Sequence, residues 1–398
     1  MESRTLRVPE RNAPRRPRVG LFNGKFQSVS LAHTGTALAM IEQCDLAVIM
    51  NGSTDRARDP RFPFDLEDRR RMWLASIPEE LHHKVVILGQ RDIGNAARWA
   101  SAVDAQVVDA AFDAGFDTDE TDFAIFGHHK DSTSSYLDDF PGYELVEVAA
   151  YEASDPARMR GTMASVLDAS DIREGMFETG LTPLEEPWME RVLCAVTPGV
   201  RDIIREFVHG PEFPRLQEEY RRAKSAAKLW KVRETRDDAG VPYAVNFTAV
   251  DSVVVHGNMV LMHQRDTFPG KDMWALPGVM LGHDETVSGA AIRALITKTA
   301  IDMTAGDLRR AIVDQWFVDG LQRSVRDRTI TFPVLFQLGM GRPGPGASRA
   351  KARALPRTKA TDRVRWFTLD EIEGMRASIH EDHAVIIDQA LERLRPRF

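Results

Sequence analysis

The sequence predicts an α/β protein of two globular units, a doubly wound parallel sheet followed by a smaller α+β unit. Three observations carry this. At 398 residues the chain exceeds what one hydrophobic core usually serves. From Arg18 to about residue 128, short apolar runs alternate with helical patterns, the mark of βαβ units and a parallel sheet with helices on both faces. From Val241 the rhythm changes to closely spaced strand-like runs with few helices.

Taken in order, RVGLFNG from Arg18 reads as a strand and SLAHTGTALAMIEQ as a helix. DLAVIMNGS reads as a strand, DLEDRRRMWLASI as a helix, and KVVILGQ and later DFAIFGH as further strands. In such sheets ligands sit beyond the carboxyl ends of the strands, which places candidate sites at Asn23–His33, Asn51–Thr54 and Gly127–Asp131. Residues 182–240 read as a helical linker, its charged amphipathic stretch PRLQEEYRRAKSAAKLWKV bridging the two halves. Beyond it NFTAVDSVVV and NMVLMHQR look like paired strands. A helix near Ser288–Ala300, the strand TITFPVLFQL and a helix after Asp382 complete the second unit. The stretch from Gly341 to Arg365, rich in Gly, Pro, Arg and Lys, reads as a mobile loop. The expected units are a disordered tail over 1–17, a first domain over 18–181, the linker and a second domain over 241–398.

Composition excludes several classes. Hydrophobic residues make up 43% and charged residues 28%, ordinary globular usage. A net charge of −7 argues against a general nucleic-acid binder, which needs a clustered Lys/Arg excess. No apolar run reaches the ~18 residues of a membrane span. The six arginines of the first 18 residues do not introduce a signal peptide. Two cysteines, Cys44 and Cys194, are too few for a disulfide framework, and a reducing cytoplasm is the natural setting.

Chemistry-bearing motifs occur in both halves. In the first, GLFNGKFQSVSLAHTG follows the first strand and resembles the G-R-F-Q-P-F-H-x-G-H signature of nucleotidyltransferases that join a mononucleotide to ATP. Gly24, Phe26, Gln27 and His33 match, while Lys25, Ser28, Val29, Ser30 and Ala32 depart. Asn51 with Gly52 and Ser53, DPRFPFDLEDRRRM, the Asp92–Trp99 pair in RDIGNAARW, and GHHKDSTSSYLDDFP extend the likeness. In the second, LPGVMLGHDETVSGAAIRALITKTAI resembles a Nudix box, G-x5-E-x7-R-E-U-x-E-E-x-G-U. Glu285, Arg293, Leu295 and Ile301 keep its frame, but Ala294, Thr297 and Lys298 replace its carboxylates, and Val279 and Ala300 its glycines.

Together these segments resemble the bifunctional nicotinamide mononucleotide adenylyltransferase/Nudix proteins from about Arg18 to Arg395. The resemblance implies a Rossmann-like nucleotidyltransferase domain followed by a Nudix-fold domain. It implies ATP, nicotinamide mononucleotide, NAD or ADP-ribose as small-molecule partners, magnesium entering with ATP, and no nucleic acid or membrane; it admits a homo-oligomer. Lys25, Ser30, His33 and Arg160 take the catalytic positions. Phe26, Gln27, Asn51, Asp92, Trp99, Lys130 and Asp131 take substrate-binding positions, with Trp99 on the nicotinamide side. Arg160, in SDPARMR, can grip a phosphate bidentately, although Asp155 and Ala157 replace the family's hydroxyls there. Arg323, Arg326 and Arg328 are the candidate ligand contacts of the second unit.

Adenylyl transfer rests on positioning and positive charge, so Ser30 in place of a histidine costs about a hundred- to thousandfold in rate if nothing else takes over. Diphosphate hydrolysis needs magnesium held by carboxylates. Lys298 puts a cation where a cation should bind, so no metal is expected at the box remnant and hydrolysis is expected to be lost. Three readings stay open: an adenylyltransferase, a pseudoenzyme that senses NAD or ADP-ribose, and a changed reaction on an NAD-like dinucleotide. Structural roles are expected elsewhere. Adjacent His128 and His129 point to opposite strand faces and make no metal site. Trp274, Trp366 and Phe367 read as core, Glu285 as a surface carboxylate, and Glu381, Asp382 and His383 as a cap orienting the last helix.

Overall fold

The computed structural model describes residues 15–128, 132–148, 169–178, 193–231, 246–321, 323–339 and 363–395. The first unit runs β1 (Arg18–Gly24), α1 (Leu31–Gln43), β2 (Leu46–Asn51), α2 (Leu66–Leu74), β3 (Val85–Gly89), α3 (Ala96–Asp113), β4 (Asp122–Gly127) and β5 (Glu144–Glu147). Its five strands are parallel, in the order β3-β2-β1-β4-β5. The order reverses between β1 and β4, so a crevice opens beyond their carboxyl ends.

Strand alternation divides the core in two. Phe22, Ala47, Ile49 and Phe126 face one side with α1 and α2, while Val19, Leu21, Val48 and Ile125 face α3 on the other. The α1 helix lies tight on β1: a Cβ at Gly20 would come within 2.6 Å of Met40.

Among the described residues three helices follow, α4 (Ala169–Glu178), α5 (Pro198–Val208) and α6 (Phe213–Lys231). Stretches read from the sequence as linker are here built into the first core, through Val200, Ile204, Phe213 and Leu216. The α6 helix also reaches the second unit, where Glu219 accepts a hydrogen bond from the Gly270 N–H at 3.2 Å and Arg222 lies 4.6 Å over the Phe268 ring.

The second unit runs β6 (Phe247–His256), β7 (Met259–Gln264), β8 (Trp274–Ala275), β9 (Gly278–Met280), α7 (Val287–Thr299), α8 (Ala305–Ala311), β10 (Ile312–Gln315), β11 (Thr329–Leu338), β12 (Val364–Thr368), α9 (Leu369–Gly374) and α10 (His383–Leu394). Its mixed sheet has the order β10-β11-β6-β7-β12, with β8 on β7 and β9 on β6. The backbone of this sheet is the parallel pair β6–β11, in register from Phe247↔Thr329 to His256↔Leu338. Val250, Val254 and Phe336 pack under α7, and Val253, Val255 and Leu335 under α10, so the sheet lies between two helical layers. Phe367 is buried there, with Trp274 and Trp366 packed at the edges of the two cores. The box frame survives at the end of α7, where Ala300 takes the left-handed conformation (φ 47) that the pattern's glycine supplies without strain.

Candidate functional sites

The crevice of the first sheet is built on the turn between β1 and α1. Ser30 is the N-cap of α1: its hydroxyl accepts from the His33 N–H at 3.3 Å, and His33 Nδ1 accepts from the Ser30 N–H at 3.2 Å. This reciprocal box leaves the His33 proton on Nε2. Edge-on contact with the Phe26 ring, 5.1 Å away, steadies the imidazole. Phe26 itself is buried in the left-handed region (φ 41) against Phe22 and Trp73, so its role is to shape the turn.

Two other expected substrate residues are held inside the fold. The Gln27 side-chain oxygen Oε1 accepts from the Phe64 N–H at 3.0 Å. Asn51 donates to the Leu88 carbonyl and accepts from the Trp73 indole, bracing β2 against its neighbours. Asp92 accepts from the Ser53 hydroxyl at 2.7 Å, across the mouth from β2. Trp99 is half-buried, edge-on to Tyr136 and Phe140. Lys130, Asp131, Arg160 and the 341–362 stretch lie outside the described residues.

Two arginines that the sequence did not single out, Arg69 and Arg56, act on these turns beside Lys25. Arg69, fully buried on α2, donates to the carbonyls of Lys25 (2.8 Å), Gly52 (2.7 Å) and Asp65 (3.1 Å), tying together the turns after β1 and β2. Burial pushes its pKa down to about 10. Arg56 lies 4.2 Å over the Phe62 ring and near Asp59 and Asp92. Lys25 is exposed by surface area, yet its ammonium lies 5.2 Å over the Phe62 ring, close to other side chains. Desolvation there, with the charges of Arg56, Arg173 and Arg61, outweighs Asp92 and lowers its pKa. Three buried polar atoms at the end of β1 have no hydrogen-bond partner, Asn23 Oδ1, Gln27 Nε2 and Ser28 Oγ. Buried polar groups are normally bonded, so these three orphans mark the turn after β1 as a part of the fold whose polar groups the protein itself leaves unmatched. Their signal in sequence, the GLFNGKFQS run, marks the turn but not which atoms stay unsatisfied.

The second unit holds a cavity of about 170 Å³ between the end of β7, the foot of α7, the segment before β11 and the start of α10. The retained box residues do not enter it. Glu285 and Arg293 form an exposed pair (Nε–Oε2 3.0 Å), and Glu285 also accepts from the Gly282 N–H at 2.7 Å, a clasp on the box loop. Ala294 is buried, the Thr297 hydroxyl is spent on the Arg293 carbonyl at 2.7 Å, and Lys298 lines the cavity. A divalent ion does not fit this set, which offers no carboxylate and one ammonium. Among the described residues no group of three or more His, Cys, Asp or Glu is arranged to hold a metal.

The arginines predicted to meet a ligand here divide. Arg323 lines the cavity but its guanidinium is committed to Asp382 through two hydrogen bonds of 2.9 and 2.8 Å. Arg326 also lines the cavity, whereas Arg328 turns away to Asp319. The expectation that Glu381, Asp382 and His383 cap α10 is corrected. Asp382 stands at the N-cap without a side-chain cap bond, because Arg323 claims its carboxylate. Glu381, strained at φ 47, accepts from the Val325 N–H, and His383 Nδ1 accepts from the Leu276 N–H. Burial would raise the Glu381 pKa, but Arg326 and Arg323 hold it down. His263 is pushed down to about 4 by burial and by Lys298 and Arg265. The two sites adjoin, since Arg56 donates to the Arg323 carbonyl at 3.3 Å and Arg376 pairs with Asp55 at 2.6 Å.

A parallel sheet with a His-bearing helix start at its switch point, joined to a mixed sheet between two helical layers with a box helix, defines a nucleotidyltransferase-type unit fused to a Nudix-fold unit. No protein-family model matches the chain. It is 25% identical over 206 residues, 52% of its length, to 95% of the nicotinamide/nicotinic acid mononucleotide adenylyltransferase of Acinetobacter baylyi. A bifunctional NMN adenylyltransferase/ADP ribose pyrophosphatase from Francisella tularensis superposes with a TM-score of 0.75 at 26% identity, over 94% of this chain and 99% of that one. The same Francisella protein crystallised with AMP and a manganese ion gives 0.74 at 25%, over 95% and 99%. The chain is thus a divergent relative of the NMN adenylyltransferases and of the bifunctional adenylyltransferase/Nudix proteins. No helix among the described residues is long and apolar enough to cross a membrane.

Proposed function

We propose that the first unit transfers adenylate from ATP to a pyridine mononucleotide, nicotinamide mononucleotide or a variant of it, giving an NAD-type dinucleotide and pyrophosphate. A phosphate oxygen of the mononucleotide attacks the α-phosphorus of ATP, and the bond to the β-phosphate oxygen breaks. The observation that carries the reading is the reciprocal Ser30–His33 box at the start of α1, beyond the carboxyl end of β1, together with the Lys25 and Arg56 cations that share the Phe62 ring.

In this reading Lys25, with Arg160, holds the polyphosphate, and helix N-termini favour such anions. His33, oriented by Ser30, donates from Nε2 to an oxygen that gains charge in the transition state. Asp92 and Trp99 take the pyridine side, and Lys130 with Asp131 the ribose or nucleotide. Magnesium enters with ATP and neutralises phosphate charge when bound. The box remnant of the second unit, lacking carboxylates, does not hydrolyse diphosphates.

The test is purified full-length protein with ATP, nicotinamide mononucleotide and magnesium, read by chromatography for NAD. NAD is expected, with the rate lowered at least tenfold in His33→Ala. Ser30→His, the residue the family's signature carries there, is expected to raise the rate if its imidazole reaches the phosphates despite losing the cap. No product at high enzyme, with NAD or ADP-ribose binding intact by calorimetry, refutes the transferase and leaves a sensor. Magnesium-dependent ADP-ribose cleavage abolished by Arg293→Ala refutes the reading of the second unit.

A further inference from the structure

The loop from Asp92 to Trp99, the pyridine side of the proposed transferase, is held from outside its own unit. Its middle residue, Gly94, lies against α10, where Gln389 Nε2 donates to the Gly94 carbonyl at 3.3 Å. A Cβ at Gly94 would overlap the Gln389 amide, and the three atoms nearest to it all belong to Gln389. Backbone meets amide there with no room for a side chain. The amide has one orientation. The Trp316 indole, just past β10, donates from Nε1 to Gln389 Oε1 at 2.8 Å. An indole N–H only donates, so the amide oxygen faces it and the nitrogen is left for Gly94. Arg393, one turn further along α10, lies 4.4 Å over the Trp316 ring and steadies the indole.

What Gly94 governs follows from its place in the chain. It precedes Asn95, the N-cap of α3, whose side chain accepts from the Arg98 N–H at 2.9 Å, and Trp99 lies in the first turn of that helix. Two residues before Gly94, Asp92 accepts from the Ser53 hydroxyl and its N–H donates to Asp55 Oδ1 at 3.4 Å, while Arg376 of the second unit takes the other Asp55 oxygen at 2.6 Å. Both ends of the loop are therefore set by side chains of the second unit. The Arg91–Glu373 and Arg98–Glu392 pairs also cross between the units, but they are solvent-exposed and such pairs contribute little.

We infer that Gln389, on the last helix of the second unit, is a positioning residue for the pyridine mononucleotide in the first: by holding Gly94 it sets the start of α3, and with it the distance between Asp92 and Trp99. The second unit, without its box carboxylates, thus keeps a task in the chemistry of the first. Gln389 acts through the loop and touches no reacting atom. The inference rests on the transferase reading, and on Asp92 and Trp99 as its pyridine side.

The test is steady-state kinetics of the full chain with each substrate varied in turn, beside calorimetric titration of nicotinamide mononucleotide alone. Gln389→Ala removes the contact, and Gln389→Glu keeps an oxygen for Trp316 but has no donor for Gly94. A substrate-positioning group displaced by about 1 Å costs about a hundredfold, so losing this one contact is expected to raise KM for the mononucleotide about tenfold in both variants. KM for ATP is expected to stay within about twofold, a split that general loosening of the fold does not produce. Gly94→Ala, whose methyl meets Gln389, is expected to raise the same KM, and in the double variant with Gln389→Ala the two effects are expected not to add. Both KM values rising together, an unchanged KM for the mononucleotide, or additive effects in the double variant overturns the inference. A parent that makes no NAD but binds the mononucleotide removes the transferase reading alone, and the same pattern in the calorimetric Kd then decides the role of Gln389. A parent that does not bind the mononucleotide overturns both.

Discussion

Replacing Arg69 with methionine separates a positioning role from mere filling of space. The guanidinium makes three hydrogen bonds to carbonyls, those of Lys25, Gly52 and Asp65, all inside the fold. Arg69→Met leaves the Lys25 and Gly52 carbonyls without this donor, at about 1–3 kcal/mol each, while the Asp65 carbonyl keeps the Arg69 N–H. Removing a desolvated cation returns part of that, because burial already disfavours the charge. The balance is a loss of about 3 kcal/mol, which for a domain of this size lowers Tm by about 6–12 °C. Because the Lys25 and Gly52 carbonyls belong to the two turns that form the crevice, NAD formation falls more than the melting shift implies at a temperature where the variant stays folded. Arg69→Lys, which keeps charge but cannot reach all three carbonyls, falls between. Calorimetric melting and steady-state kinetics of the three proteins check this. A Tm change under about 2 °C, or Arg69→Met matching the parent in kcat/KM, refutes the reasoning.

Two further outcomes follow from single residues. Ala300→Gly releases an alanine from the left-handed region, a gain of about 1–2 kcal/mol that the glycine's unfolded-state entropy reduces by about 0.4–1 kcal/mol; urea unfolding should show a net stabilisation, and a loss contradicts the strain at φ 47. His263, depressed to about 4 in the fold against an unfolded value near 6.5, makes the unfolded chain take up a proton first. Stability therefore falls as pH drops from about 6.5 to about 4, by up to about 3 kcal/mol from this group, and is unaffected above that window. His263→Gln should flatten the slope of urea midpoint against pH there; an unchanged slope contradicts the depressed value.

Much of the architecture was legible because it is written in local periods. The alternation of Val19 and Leu21 against Phe22 places β1 between two helical layers before any contact is known. The box helix was readable from frame residues alone, since Glu285 and Arg293 lie eight positions apart and meet as a clasp. Roles inside the crevice were less readable, because they depend on partners distant in sequence. Asn51 looks like a ligand contact until Leu88 and Trp73 are seen to claim its amide. Arg69 sits in a run of three arginines, and only the fold shows that it alone turns inward. Asp382 was read as a cap since its helix begins there, but Arg323, 59 positions away, takes its carboxylate.

The contacts of the Asp55–Arg61 loop bear on how the molecule can be dissected. Asp55 is gripped by Arg376, which also pairs with Asp388 on α10, and Arg56 reaches the backbone of Arg323. The rear half thus serves as a buttress for the front half's cation-rich rim. A fragment ending before residue 247 would keep every strand of the parallel sheet but lose that brace, so its catalytic parameters would describe a slackened rim instead of the intact one.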